Sequence, residues 1–246
     1  MQFYSEGIDG IMQFKEQQKK KAVTFSYDDG VTQDIRLIEL LNKYGLKCTF
    51  NLNSNRLGDR GMLIQSQGRI ARYRVHPGDV RTVYEGHEVA VHTLDHPVLT
   101  KLKDDGDVIR QVEQDRLNLS DLVGYEVIGM AYPGGGVNSD ERVAALIKNH
   151  TGVQYARTTI CTEGFVAQTN LYQFRPTAFH LNFNKMMQLG RSFVETEAKT
   201  PQILCIWGHS YEMDYATDNW HRLEEFFALI SGRDDVFYGT NKEVLL

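Results

Sequence analysis

Short apolar runs of strand length alternate with segments of helical periodicity along most of this chain, and that alternation limits the fold more than any single motif does. Strand candidates are Ala22–Tyr27, Lys47–Asn51, Glu88–His92, Val127–Ala131, Val153–Arg157, Ile203–Trp207 and Val236–Tyr238. Between most of them lie helical patterns at Asp34–Tyr44, Val108–Val123, Asp140–His150 and Asn219–Ile230, where apolar residues recur at three- and four-residue spacing. Strict alternation of this kind builds a parallel sheet with crossover helices. Seven strands without a break favour an α/β fold of the distorted, incomplete (β/α) barrel type over an open doubly wound sheet. No G-x-G-x-x-G or P-loop follows the first strand, which disfavours nucleotide folds. No linker or repeat divides the 246 residues, so one domain is expected over 1–246, with its core at about 22–240. One stretch breaks the rhythm. "GRIARYRVHPGDVRTVYEGHE" alternates with period two around the turn signal "HPGD" and reads as a β-hairpin insertion at about 68–87. It belongs either beside the mouth of a site or to a remote decoration.

Charge excludes several partners. The net charge is -5 and the pI near 5.9, so no basic field recommends nucleic acid or an anionic membrane surface. No apolar run approaches the roughly 18 residues that a membrane span needs. The start, "MQFYSEGIDGIMQFKEQQKKK", has no signal-peptide apolar core. Cys48, Cys161 and Cys205 are dispersed and odd in number, which suits reduced, buried thiols. A cytoplasmic address is the expectation. No feature of the sequence bears on oligomeric state.

In a parallel α/β barrel, functional groups gather at the C-terminal ends of strands and in the loops that follow. Asp28 and Asp29 stand after the first strand candidate, and His92 and His96 end the third in "VHTLDHP". "AYPGGG" follows the fourth, Arg157 ends the fifth, and His209 ends the sixth in "CIWGHSYE". Titratable residues thus collect at one end. The four-residue spacing of His92 and His96 sets two imidazoles on one side of a helical turn, which Pro97 would stop. Two neutral imidazoles and one carboxylate are a common catalytic zinc set with a position left open.

"TFSYDDG", "HTLDHP", "AYPGG" and "IWGHS", in this order, resemble the sequence blocks of the polysaccharide deacetylases, carbohydrate esterase family four with the NodB-homology domain. The likeness spans about Ala22 to Tyr215. It implies a distorted (β/α) barrel of about seven strands and metal-dependent removal of acetyl groups from N-acetylated or O-acetylated sugars. It also implies that Asp29, His92 and His96 hold one divalent ion, most simply zinc, with cobalt or nickel as alternatives. Asp28 is implied as catalytic base and His209 as general acid. This division is physically reasonable, because neighbouring side chains at a strand end diverge. One carboxylate then faces a metal that eases their mutual repulsion while the other faces its water.

Two departures stand out. The family's R-x-P-[YW] block is "AYPG" here, with Ala131 in place of the arginine that pairs with the catalytic aspartate and Gly134 in place of the aromatic. Arg157 is the candidate replacement, with Arg175 as the alternative. The D-x-x-D-W block is absent, so the acidic partner of His209 falls to Glu212 or Asp214. Tyr132, Pro133, Gly134, Trp207 and Tyr211 are candidate substrate contacts. Trp220 is a further aromatic, and Trp207, on a strand, suits core packing better than stacking. Asn53, Asn55 and Asn138 are polar candidates of weaker standing. The leading function is a metal-dependent deacetylase of acetylated carbohydrate. The alternatives are a small-molecule amide or imide hydrolase or deformylase, and a barrel that binds carbohydrate but has lost catalysis.

Overall fold

The computed structural model describes residues 17–65 and 68–246. The first sixteen residues, most of the stretch read above for a leader, lie outside the described ones. Strand β1 (Lys21–Asp28) is buried along its whole length and is the hub of the sheet. It pairs in parallel with β9 (Gln202–Gly208) from Lys21 to Tyr27, and with β2 (Cys48–Leu52) over its C-terminal half. Its first three residues also pair with β10 (Val236–Tyr238). Outward from β2 follow β5 (Glu88–Val91), β6 (Gly129–Ala131) and β7 (Tyr155–Arg157), while β8 (Ala178–Phe179) flanks β9. All the pairings within this eight-stranded sheet are parallel. Just before β8, Phe174 exchanges backbone hydrogen bonds with β7, so the segment 174–179 spans the gap between the two outer strands. The sheet therefore curls into an incomplete barrel, as the alternation implied.

Helices cover its outer face. In α1 (Asp34–Lys43), Leu37, Ile38 and Leu41 turn inward. A four-residue helix, α2 (Val80–Val83), precedes β5. The longest, α3 (Asp105–Val123), buries Val108, Val112, Leu119 and Val123; Asp104 caps its start and Gly124, at φ 77°, ends it. Asp140 accepts from Val143 N at 2.8 Å and caps α4 (Glu141–His150). Helix α5 (Phe183–Glu195) packs against α6 (Asn219–Ile230), with Gly190 facing Phe226 where a Cβ would not fit. A five-residue α7 (Asn241–Leu245) closes the chain. No described helix is long and apolar enough to cross a membrane.

The hairpin lies earlier than the alternation placed it. Its strands are β3 (Arg60–Gln65) and β4 (Gly68–Tyr73), paired antiparallel from Arg60↔Tyr73 to Gln65↔Gly68. The range 68–87 is therefore corrected to 60–73. "HPGD" does not turn the hairpin: Pro77–Asp79 is a 3-10 turn leading directly into α2. Proline lacks an N–H and fixes φ, which suits the first turn of a helix as well as a β-turn. His76 Nδ1, accepting from Gly78 N at 3.2 Å, completes that helical start. The hairpin is no remote decoration. Ile70 packs with Val31 and Tyr211 in a small apolar cluster at the strand ends, and Val31 bridges to Arg74.

Candidate active site

The backbone turns sharply where β1 ends. Asp29 has φ 86° and Gly30 φ 62°, so two consecutive residues occupy the left-handed region that non-glycine residues seldom adopt. It is this turn, rather than the strand pleat alone, that carries Asp29 away from Asp28. The two carboxylates have separate cationic partners. Asp28 is ion-paired to Arg157 and accepts from Asn51 Nδ2 at 2.8 Å. Asp29 accepts from Arg74 Nη2 at 3.1 Å, and the same guanidinium also donates to the Asp29 carbonyl. Burial pushes both carboxyls up. For Asp28, Arg157 outweighs it with help from protonated His209; for Asp29, Arg74 and His209 do so. Both stay below the usual carboxylate range and are ionised.

His92 and His96 follow β5, but not on a helical turn. Thr93 and His96 have φ 68° and 65°, and the segment runs as a bend in which His96 N donates to Thr93 Oγ1 at 3.1 Å. Asn53 braces it by donating to the carbonyls of His92 and Thr93, and the buried Asp115 accepts from His92 N at 3.1 Å. The rings meet edge to face with centroids 4.8 Å apart. One ligand atom from each of Asp29, His92 and His96 lies within 4.8 Å of the other two. His92 Nδ1 is 2.8 Å from the Ala131 carbonyl, which accepts its proton and leaves Nε2 as a buried lone pair with no protein partner. Burial holds His92 down to about 4 and His96 below its ordinary value, so both are neutral. A fixed tautomer, an orphaned buried lone pair and an ionised carboxylate fit a divalent cation.

His209 follows β9 and faces the same cleft. Its Nδ1 lies 3.1 Å from Glu212 Oε2, and its backbone N donates to the same oxygen. His180 Nε2 donates to that oxygen at 2.7 Å. Because an ionised carboxylate only accepts, His180 Nδ1 must accept from Tyr27 OH, 3.0 Å away. Burial disfavours the charged His209. Glu212, with Asp29 and Asp28, more than offsets it and raises this imidazole to about 9. Burial raises Glu212 too, but its hydrogen bonds to His180 and His209 bring it to about 2.

The cleft these groups line has a volume of about 290 Å³. Tyr132, Gly134, Trp207 and Tyr211 form its walls. Pro133 is buried and takes no part in the lining. Trp207 is half-buried, between core and cleft, with its ring 5.0 Å from the Arg157 guanidinium. Arg175 donates instead to the carbonyls of Ile160 and Cys161, away from Asp28. Asp214 accepts from Gln33 and Trp220 rather than from His209. Asn55 donates to Asp95, and Asn138 to the carbonyls of Tyr132 and Gly134. All three asparagines therefore brace loops. Arg74, Asn51 and His180 escaped the sequence reading because nothing in their local patterns links them to the strand-end residues they contact.

Comparisons with known proteins bear on the family and the fold. The sequence profile described as "Polysaccharide deacetylase" matches residues 15–156, more than half of the chain. A peptidoglycan-N-acetylglucosamine deacetylase of Listeria monocytogenes is 29% identical over 120 residues. That alignment takes in 48% of this chain and 22% of the relative, so the chain spans about a fifth of that protein's length. Among solved structures, a probable polysaccharide deacetylase from Pseudomonas aeruginosa superposes with a TM-score of 0.68. It is 12% identical, with 98% of this chain and 96% of the other covered. A family 4 carbohydrate esterase from Streptomyces lividans, in complex with acetate, gives 0.55 at 12% identity, covering 90% and 93%. At these identities the structural likeness shows the fold.

Proposed function

Because the chain belongs to the polysaccharide deacetylase family, we propose that it is a metal-dependent hydrolase releasing acetate from N-acetylated or O-acetylated saccharides. The observation that carries the reading is the convergence of Asp29, His92 and His96 beside a second, ionised aspartate with its own arginine.

Asp29, His92 and His96 would hold the divalent ion. Bound there, zinc, or cobalt or nickel, supplies Lewis acidity, polarising the acetyl carbonyl and acidifying an attacking water. The remaining steps belong to the chain. Asp28, oriented by Arg157 and Asn51, takes a proton from that water as its oxygen bonds to the carbonyl carbon. His209 is protonated at neutral pH and donates its proton to the amine nitrogen as the C–N bond breaks, leaving acetate and a free amine. Glu212 steadies the imidazolium, and His180 with Tyr27 holds Glu212 in place. Tyr132, Trp207 and Tyr211 provide aromatic walls for a sugar ring.

The test is metal analysis of the purified protein followed by acetate release from chito-oligosaccharides and acetylxylan. One divalent ion per chain is expected, with hydrolysis abolished by chelation and restored by zinc or cobalt. Formate release or imide ring opening without acetate release would replace this reading with the small-amide alternative. No stoichiometric metal and no turnover would favour the binding-only barrel.

A further inference from the structure

Arg72, on β4, reaches the candidate active site from the hairpin. It is half-buried and lines the same cleft as Asp28, Asp29, His92, His96 and His209. Its guanidinium lies 5.8 Å from the Tyr211 ring centroid, a cation–π placement that limits its freedom. Among the described residues no carboxylate forms an ion pair with it. The carboxylates in the cleft are all engaged: Asp28 by Arg157, Asp29 by Arg74, and Glu212 by His180 and His209.

The positive charge continues outward. Arg72 also forms part of a second cleft of about 300 Å³ along the hairpin, with Arg56, Arg60 and Arg74. Asp59 is the one carboxylate there, and Arg56 pairs with it at 3.4 Å. A chain with a net charge of -5 thus concentrates four arginines against one carboxylate in a cleft that shares Arg72 with the metal triad's. A planar guanidinium, held in place and with no ion-pair partner among the described residues, is suited to two parallel hydrogen bonds with a carboxylate or phosphate.

We infer that Arg72 is a specificity-determining residue, selecting acetylated saccharides that carry an anionic group, carboxylate or phosphate, beside the acetyl-bearing unit. This rests on the deacetylase reading above. The neighbouring arginines extend the same preference along the hairpin, so longer anionic chains are favoured in turn.

The test compares matched probes on the zinc-loaded protein. N-acetylglucosaminyl-N-acetylmuramic acid is set against N,N′-diacetylchitobiose for a carboxylate, and N-acetylglucosamine 6-phosphate against N-acetylglucosamine for a phosphate. Wild type should favour at least one anionic probe by about tenfold in kcat/KM, less so as salt rises, and the pair showing it identifies the anion. Arg72→Gln should collapse that ratio, and Arg72→Lys should keep part of it. Each ratio is taken within one variant, so partial misfolding cancels. A wild type without anionic preference overturns the inference. A ratio that Arg72→Gln leaves unchanged does so too, because Arg72 would then serve the reaction and not the selection. If no probe releases acetate, the deacetylase reading fails, and calorimetric binding of the same pairs decides separately. Tighter binding of an anionic probe that Arg72→Gln loses upholds the charge preference, and equal binding refutes it.

Discussion

The Asp28 carboxylate and the Arg157 guanidinium form an ion pair that solvent scarcely reaches, with side-chain exposures of 2% and 0%. Arg157 comes from β7, donates through Nε to Ser26 Oγ at 3.1 Å, and lies beside the Trp207 ring. Ala131, where the family resemblance implies a cation, and Arg157 are register partners on adjacent strands.

Arg157→Ala should lower turnover by about 100-fold or more, since a misdirected base forfeits general-base catalysis. Removing one member of a buried ion pair also costs about 3–5 kcal/mol of stability. Metal stoichiometry should persist, because the polar partners of Arg157 are Ser26, Asp28 and the Thr158 carbonyl rather than Asp29, His92 or His96. Steady-state kinetics on the folded fraction, with metal content measured in parallel, checks this. Wild-type turnover would rule out the positioning role.

Arg74 holds the other aspartate, and its effect should separate cleanly from that of Arg157. Arg74→Met is expected to weaken zinc affinity by about 10–100-fold, as loss of a partner that orients a metal ligand commonly does. Competition titration with a chromophoric chelator measures it. Unchanged affinity would show that the left-handed turn at Asp29 suffices to aim the carboxylate.

The alkaline limb of the pH profile should belong to His209, the proposed general acid. Its imidazole is raised to about 9, so the proton donor is present at neutral pH and lost as pH rises through that value. Activity should therefore fall on the alkaline side near pH 9. Glu212→Gln removes the leading favourable interaction and should move that limb toward acid, with a lower maximum. A pH profile of kcat for both proteins tests the assignment, which an unmoved limb would exclude.

Asp34 offers a stability measurement independent of catalysis. Fully buried, it accepts from Ser210 Oγ at 2.5 Å and Tyr84 OH at 2.8 Å. Burial lifts its carboxyl to about 7, those hydrogen bonds notwithstanding. The folded state therefore binds this proton more tightly than the unfolded chain, whose aspartates titrate near about 4. Stability should fall as pH rises from about 4 to 7, by on the order of a few kcal/mol. Asp34→Asn should flatten that slope, as read by urea unfolding at several pH values. An unaltered slope would mean that Asp34 is ionised in the fold.

The sequence made the alternation of β1, β2, β5, β6, β7 and β9 visible because each strand is a buried apolar run ended by polar residues. Strand β8 was not legible. It has two residues, and its pairing with β9 is a tertiary fact with no local pattern. Helix α5 does carry Phe183, Met186, Leu189 and Phe193 at helical spacing, but Gly190 interrupts its propensity. At the site, the aspartate pair and the histidines could be read because motif spacing places them on two loops. What steadies them could not. Arg74, Asn51 and His180 reach the strand-end residues from the hairpin, β2 and β8, over separations of 23 to 153 residues.

The threefold pairing of β1 also fixes an order of events in time. The strand leading to both aspartates is flanked by residues 202–208 and 236–238, some two hundred positions later. Contacts of such high sequence separation form slowly, after the loop-closure entropy has been overcome. During synthesis Asp28 and Asp29 emerge with β2 close behind, yet the other two neighbours of their strand come last. Until residues 202–208 and 236–238 arrive, the strand that bears both aspartates has only β2 to pair with.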